Sequence, residues 1–436
     1  MRSESQLVGK QTGRLARVVG VPGAVLLGLG SILGTGIFVS VGIAAGVAGP
    51  AVLAAVVLAS LVASANGLSS AQLAARFPVS GGTYEYGYRT LSPALGFTAG
   101  WMFLCAKSAS AATAALGLSA YALSAAGVDG GAARVPLALA VVVALTLVVA
   151  GGMRRSSRTN AVIVAVTLAS LAAFVAAGAP EAVKRAGAIG RGLLGGGGGA
   201  AALLEATALV FVAFTGYGRI ATLGEEVRDP ARSIPRAIIL TLLATMALYL
   251  AVVAVAIGAV GAAGLAGATG GTAAPLEVIA GAFAAPGIDR VIAAGAITAM
   301  AGVLLNLLLG LSRVLLAMAR RGDMPGALAR VDAGGSPRAA VLVTGAIIAA
   351  LVLIGDVKAT WSFSAFTVLV YYALTNLAAL RLPAEARRYP RALAALGLVA
   401  CLGLAAWIEP RVILCGAGLI AAGLIWHLVA RRLRQR

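Results

Sequence analysis

The stretch GSILGTGIF, Gly30–Phe38, decides how the chain is read. It lies inside the first long apolar segment, Val21 to Val47, which is long enough to cross a bilayer as a helix. In hydrocarbon every backbone N–H and C=O must be hydrogen-bonded within the protein, so a crossing segment should be a continuous helix. Gly34-Thr35-Gly36 interrupts that logic at the expected midplane, because two residues of poor helix propensity flank a hydroxyl. A local unwinding there frees amide donors at a helix N-terminus, and such donors attract an anion such as a carboxylate. Two plainer readings compete. One is close helix packing through the small-xxx-small pair Gly30/Gly34. The other is a dinucleotide fingerprint through Gly28, Gly30 and Gly34, which fails because no strand precedes it.

Composition sets the class. With 60% hydrophobic and 11% charged residues over 436 positions, this is an all-α polytopic membrane protein rather than an ordinary soluble one. The mean hydropathy of +0.98 agrees. A net charge of +19 suggests nucleic-acid binding only if the cations form one face, and here Lys and Arg sit in short loops between apolar segments. Cys105, Cys401 and Cys415 are odd in number and lie in apolar segments, so no disulfide framework is expected. The single histidine, His427, lies near the end of the last span, leaving no His/Cys cluster for a metal, a cofactor or nucleophilic chemistry. The first apolar stretch is too long for a cleaved signal peptide.

Twelve spans are predicted, at about 21–47, 50–74, 94–124, 136–152, 159–178, 202–223, 236–262, 288–318, 338–356, 359–381, 392–408 and 411–429. Most of the 34 Lys and Arg residues fall on one side of this arrangement, which puts both termini in the cytoplasm of a multi-pass cell-membrane protein. Residues 1–20 form a cytoplasmic N-terminal segment and 430–436 a basic cytoplasmic tail. The five glycines Gly195 to Gly199 read as an external linker and not a phosphate loop, and the Ala/Gly-rich stretch Gly261 to Gly287 as a long external loop.

The sixth span carries a second interruption. In VFVAFTGYGRIATLGEEVRDP, Gly216 and Gly218 flank Tyr217 at mid-depth and Arg219 follows, so this segment should line a cavity rather than face lipid. Spans 1 and 6 are equivalent if spans 1–5 and 6–10 are two copies of a five-helix unit. An odd number of spans per unit inserts the copies upside down, and interrupted helices at matching positions point to a midplane site.

Four segments together carry a family resemblance: GSILGTGIF, FPVSGGTYEYGYRTLSPALGFTAGW at Phe77 to Trp101, FVAFTGYGRIATLGEEVRDPARSIPRAI at Phe211 to Ile238, and LSRVLLAMARRGDMP at Leu311 to Pro325. From about Val21 to Leu382 the chain resembles the amino acid–polyamine–organocation superfamily of permeases. The resemblance implies a LeuT-like fold: a transport core at 21–381, made of inverted repeats at about 21–178 and 202–381, plus two peripheral helices at 382–429. It implies alternating-access transport of amino acids or related amines. It also implies that the substrate carboxylate is held at Thr35, Gly36 and Ile37, and the amino group by the carbonyls of Val212, Ala213 and Thr215. Phe214, beside the break at Gly216, is the candidate lid.

Zwitterion chemistry supports that assignment independently. A site replacing the water around an amino acid must offer donors to one end and acceptors to the other, and two helix breaks do both without an ionised side chain. For coupling, the position matching a lysine of proton-coupled relatives in span 5 is Thr167, and ITAMAGVLLN in span 8 has Ala301 and Gly302 where sodium ligands would stand. Lys107 is the unexpected candidate, about thirteen residues and about 20 Å into span 3, where an ammonium is costly unless paired, hydrated or deprotonated. A coupling or gating role competes there with a structural hydrogen bond. Near the cytoplasmic face, Glu225, Glu226, Arg228 and Asp229 face Arg76, Tyr84, Glu85 and Arg89, and gating ion pairs are expected among them, against the plainer reading of a solvated loop; Arg219 and Arg313 need buried partners, for which Glu225 and Glu226 are the nearest carboxylates in sequence.

The sequence therefore predicts a secondary transporter of neutral amino acids, coupled to protons or working by exchange, rather than an enzyme. The alternative is a non-transporting amino-acid sensor in the membrane. The partners expected are the amino acid, a proton or counter-substrate, and the lipid bilayer. The span 3–4 loop has no cysteine, so no disulfide-linked subunit is indicated.

Overall fold

Helices end where the sequence supplies a stop. In the computed structural model, which describes residues 19–435 apart from 78–80, 129, 153–156, 194–198, 222–226 and 333–335, helix α1 (Val21–Ile32) opens with proline in its first turn. It stops at Leu33, whose backbone is extended (φ −73°, ψ 106°). The chain re-enters helix through a π turn at Gly36–Ser40 that runs into α2 (Val41–Ala48). Gly49 (φ 57°) and Pro50 separate α2 from α3 (Val52–Arg76). A short helix α4 (Thr83–Thr90) precedes α5 (Pro93–Ala125), whose cap residue Ser92 accepts from the Leu95 amide at 3.3 Å.

The remaining helices are α6 (Gly130–Ala150), α7 (Ser157–Lys184), α8 (Ala186–Leu193), α9 (Gly199–Phe214), α10 (Gly218–Ala221), α11 (Pro230–Thr272), α12 (Pro275–Ala280), α13 (Ile288–Arg320), α14 (Arg338–Val352), α15 (Val357–Leu380), α16 (Arg391–Ala405) and α17 (Pro410–Gln435). Among the described residues there is no strand, only one isolated bridge between Val19 and Val227. The stretch expected as a loop at 261–287 is largely helical. Gly261 (φ 74°, ψ 170°) kinks α11, after which residues 262–272 and α12 coil again, because alanine favours helix more than the interspersed glycines oppose it.

Among the described residues, nine helical stretches are long and apolar enough to cross a membrane; one of them, Val21–Arg76, has 56 residues and holds α1, α2 and α3. Two further apolar helices, Arg338–Val352 and Arg391–Ala405, are shorter. The chain is a multi-pass membrane protein. Its helices are apolar all round but unequally enclosed: 78% of the apolar window is buried in α5 and in α15, against 22% in α6 and 17% in the last helix. The outer helices give their remaining faces to lipid, and α5 and α15 form the centre. Small polar residues seam those two together, Ser110 to Ser364 at 2.7 Å and Thr113 to Thr360 at 2.9 Å.

Against that centre, α1 packs on α10 and on the turn before it, while α2 packs on α9. The two segments that carry interruptions thus lie antiparallel and side by side, with their irregular turns at one level.

Candidate functional site

Two irregular turns build the site. In the first, the helix is open at Leu33 and Gly34, and the amides of Ile37 and Phe38 return to the Gly34 carbonyl at 3.1 and 3.2 Å. As first residues of a new helical segment, Thr35 and Gly36 direct their amides away from any intrahelical acceptor. Thr35 is buried and its hydroxyl has no hydrogen-bond partner in the structure. In the second, α9 gives way to a tighter 3₁₀ turn, Thr215–Tyr217, before α10 continues. The chain there changes helix type without the gap seen at Leu33.

The two turns touch through glycine. A methyl group on Gly36 would stand 2.5 Å from the Ala213 β-carbon and 2.9 Å from its α-carbon. One on Gly216 would stand 2.5 Å from the carbonyl carbon of Ser31 and 2.6 Å from Ile32. The contacts with Ala213 and Ser31 are with backbone atoms and a β-carbon, which no rotamer change relieves. Tyr249 of α11 ties the turns together: its hydroxyl faces the Ile32 carbonyl at 3.2 Å and the Ala213 carbonyl at 3.3 Å. Tyr372 of α15 donates to the Thr215 carbonyl at 3.1 Å, and Asn306 of α13 to that of Gly30 at 3.3 Å. Interrupted helices expose carbonyls, and these side chains satisfy them.

Lys107 reaches this junction from α5. It is 9% exposed, and its Nζ donates to Thr215 Oγ1 at 2.8 Å, which in turn donates to the Val212 carbonyl at 2.7 Å. Thr35, Gly36, Lys107, Ser110, Val212, Ala213, Thr215, Gly216 and Trp361 border a cavity of about 40 Å³. A second cavity of about 180 Å³ adjoins it, since Ser31, Lys107, Thr215, Gly216, Val303 and Leu307 line both. The larger one extends along Asn306, Gly310, Arg313 and Ala317 to Gly81, Gly82 and Tyr84, and Arg219 also lines it. Lys107, Arg219 and Arg313 bring cations to its wall, and no carboxylate is among the described residues lining it.

Of the residues named from sequence, Thr35, Gly36, Val212, Ala213, Thr215 and Gly216 converge on the small cavity. Two do not. The Ile37 amide is taken by Gly34, and Phe214 is fully buried against Tyr249, with ring centroids 5.1 Å apart, so it lines neither cavity. The aromatic that does border the small cavity is Trp361, its indole held by the Leu209 carbonyl at 2.9 Å. Thr167 is buried in α7, with its hydroxyl on the Ile163 carbonyl at 2.8 Å, and lines neither cavity.

Glu225 and Glu226 lie outside the described residues. Asp229 pairs locally with Arg232 at 3.9 Å, and Glu85 pairs with Arg321 and with Arg89. Among the described residues, the ion pairs of Glu85 join α4 to the end of α13 and to its own last turn. Sequence reasoning passed over Tyr249 and Trp361. An aromatic in an apolar span carries no mark of function until its polar edge meets a carbonyl of another helix.

Known proteins are similar to this chain along most of its length. The family model for amino acid permeases matches residues 23–428. The chain is 41% identical to an uncharacterised transporter of Mycobacterium tuberculosis over 426 residues, covering 97% of this chain and 94% of that protein. It is 30% identical to the branched-chain amino acid permease BcaP of Bacillus subtilis over 353 residues, 76% of this chain and 73% of that one. It is 27% identical to the mitochondrial cationic amino acid transporter 3 of Arabidopsis thaliana over 365 residues, 79% and 59% of the two chains. A helix broken at Gly34, a second tightened at Gly216 and a match along nearly the whole length lead to one statement: the chain belongs to the amino acid permease family, whose members are transporters.

Proposed function

We propose that the protein is a secondary transporter that binds a zwitterionic amino acid between its two helix interruptions and releases it through the larger cavity by alternating access. The observation that carries this reading is the meeting of the two turns at Gly36 and Gly216 around a cavity bordered by Thr35 and Lys107. Amides of the first turn and the Lys107 ammonium suit a carboxylate, and carbonyls of the second suit an ammonium. Carbonyls already engaged by Tyr249 and Tyr372 keep a second lone pair. Among the described residues the larger cavity is lined by the cations Lys107, Arg219 and Arg313, which favours a substrate side chain that is not positively charged, and we take the substrate to be a neutral amino acid.

The architecture behind this reading is twelve passes, with α1 and α2 as the first and both termini in the cytoplasm. Helix packing supports two inverted five-helix repeats, because contacts recur when each span is advanced by five. The packing of α5 on α15 has its counterpart in α13 on α7, and that of α1 on α7 in α9 on α15. Coupling is to protons or to a counter-substrate, with Lys107 as the group bridging α5 and the second turn.

Uptake into proteoliposomes tests the reading. Gly36→Val and Gly216→Val each abolish uptake of a neutral amino acid while the protein still inserts; uptake that survives both changes places the site elsewhere. Stabilisation of the purified protein by ligand without any counterflow would make it a sensor.

A further inference from the structure

Helix α13 ends in the sequence ARRGDMP, and its last turn closes as a Schellman cap. The amide of Gly322 (φ 74°) donates to the Ala319 carbonyl and that of Asp323 to the Met318 carbonyl, both at 2.8 Å. The cap turns Asp323 inward to 1% exposure, where a carboxylate requires donors. It has them from two directions. Its Oδ2 accepts from the hydroxyls of Tyr84 at 2.8 Å and Tyr88 at 2.6 Å. Its Oδ1 lies 3.3 Å from Nδ1 of His427, which is 2% exposed on α17 and stacks on Phe97 of α5 at 4.7 Å. The indole of Trp426, next to that histidine, donates to the Asp323 carbonyl at 2.7 Å.

The tyrosines belong to α4, and α4 is a wall of the larger cavity. Gly81 (φ 121°) and Gly82 (φ 55°) precede it, and both line that cavity together with Tyr84. Two consecutive positive-φ positions form a joint that glycine alone adopts freely. The helix is therefore jointed at one end and clamped on its face by Asp323, while Thr83 Oγ1 meets Thr375 Oγ1 of α15 at 2.7 Å. Burial first, and then the hydrogen bond to Asp323, push the Tyr84 hydroxyl far above its ordinary range, so it remains a donor.

Charged and titratable groups come from several of the described elements around His427. From the end of α13 come Asp323 and Arg321, and from α4 come Tyr84, Tyr88, Glu85 and Arg89. From α5 come the uncharged rings of Phe97 and Trp101, and from α15, farther along α17, Phe366 beside Gly416; Arg431 and Arg432 follow on α17 itself. Arg321 lies over the Tyr88 ring at 4.3 Å and the Tyr84 ring at 5.5 Å and pairs with Glu85, so its charge has a carboxylate of its own.

We propose that His427 and Asp323 form a proton-set latch on α4, in which a charged His427 tightens the clamp on Tyr84 and Tyr88 and a neutral one loosens it. Imidazole is the side chain that ordinarily changes charge between pH 5 and 8, and its charged form adds a charge-assisted hydrogen bond to the carboxylate. The last helix, expected from sequence to be peripheral, becomes a positioning element for the wall of the cavity. That the wall acts as an inner gate rests on the transport reading above; the latch itself does not.

Hydrogen exchange on the purified protein in nanodiscs, with no substrate present, tests the latch at pH 6 and pH 8 after correction for intrinsic exchange rates. Wild-type amides of residues 83–90 are expected to be about tenfold more protected at pH 6, and α16, which makes none of these contacts, unchanged. His427→Gln keeps α4 at its pH 8 protection at both values, and Asp323→Asn leaves it exposed at both. Equal wild-type protection at the two pH values, or a pH difference that survives in His427→Gln, overturns the proposal. The wild-type comparison decides alone if a variant fails to assemble.

Discussion

Lys107 shows how much one residue's position reveals and how much it conceals. A lysine amid the small residues of an apolar span stands out in the sequence, since an ammonium at that depth needs a reason. The pairing did not stand out: Thr215 is 108 positions away and is singled out in the sequence only for its carbonyl, through the family resemblance. Lys107→Met removes the ammonium but leaves Thr215 bonded to Val212, so the second turn should keep its shape. We expect uptake to fall at least about tenfold, as for loss of a charged hydrogen bond at a ligand, with a pH profile that differs from that of the wild type. Proteoliposome uptake between pH 5.5 and 8 checks this, and an unchanged rate and profile removes Lys107 from the mechanism. Tyr249→Phe is a milder change that cuts the tie between Ile32 and Ala213 and costs about 1 kcal/mol of stability. Ligand affinity should fall with it, measured by isothermal titration, because the two turns lose their common reference.

At the scale of elements, the glycine pairs forecast where two helices become irregular, but not how. The first opens at Leu33, and the second only tightens into a 3₁₀ turn, where Gly216 packs closely on the backbone of Ser31. Packing of this kind has no signature in one segment alone. The Ala/Gly-rich stretch after the seventh span misled for a related reason: its glycines suggested a loop, yet it folds into short helices that cover other groups. One of them, α12, places Glu277 at 7% exposure. Burial first, with the charge of Asp289 adding and a hydrogen bond with Ser124 opposing, pushes this carboxyl up to about 7. A carboxyl raised in the folded state binds its proton more tightly there than in the unfolded chain. Folded-state stability therefore falls as pH rises from about 4.5 to about 7, and is level above that. Glu277→Gln should raise the melting temperature in detergent by a few degrees at pH 8 and leave it nearly unchanged at pH 4.5. An equal effect at both pH values contradicts the assignment.

For the whole molecule, hydropathy made the membrane class legible, because lipid imposes apolar length on any chain that crosses it. The role of the last helix was not legible. Its lone histidine reads as an ordinary residue near a membrane boundary until the cap of α13 brings Asp323 to it. Topology has a direct check in a background lacking Cys105, Cys401 and Cys415. Lys358→Cys should react with a membrane-impermeant maleimide added to intact cells, and Arg320→Cys only after permeabilisation; the reverse pattern inverts the orientation.

The central claim is that two helix interruptions clasp a zwitterion where Gly36 packs on Ala213 and Gly216 on Ser31. It is tested most directly by thermal stabilisation of the purified protein against the twenty amino acids and their carboxamides, in wild type and in Gly216→Ala. The clasp predicts that at least one neutral amino acid stabilises the wild type, that its carboxamide does not, and that neither stabilises the variant. Equal stabilisation of Gly216→Ala, or a carboxamide as effective as the acid, contradicts it.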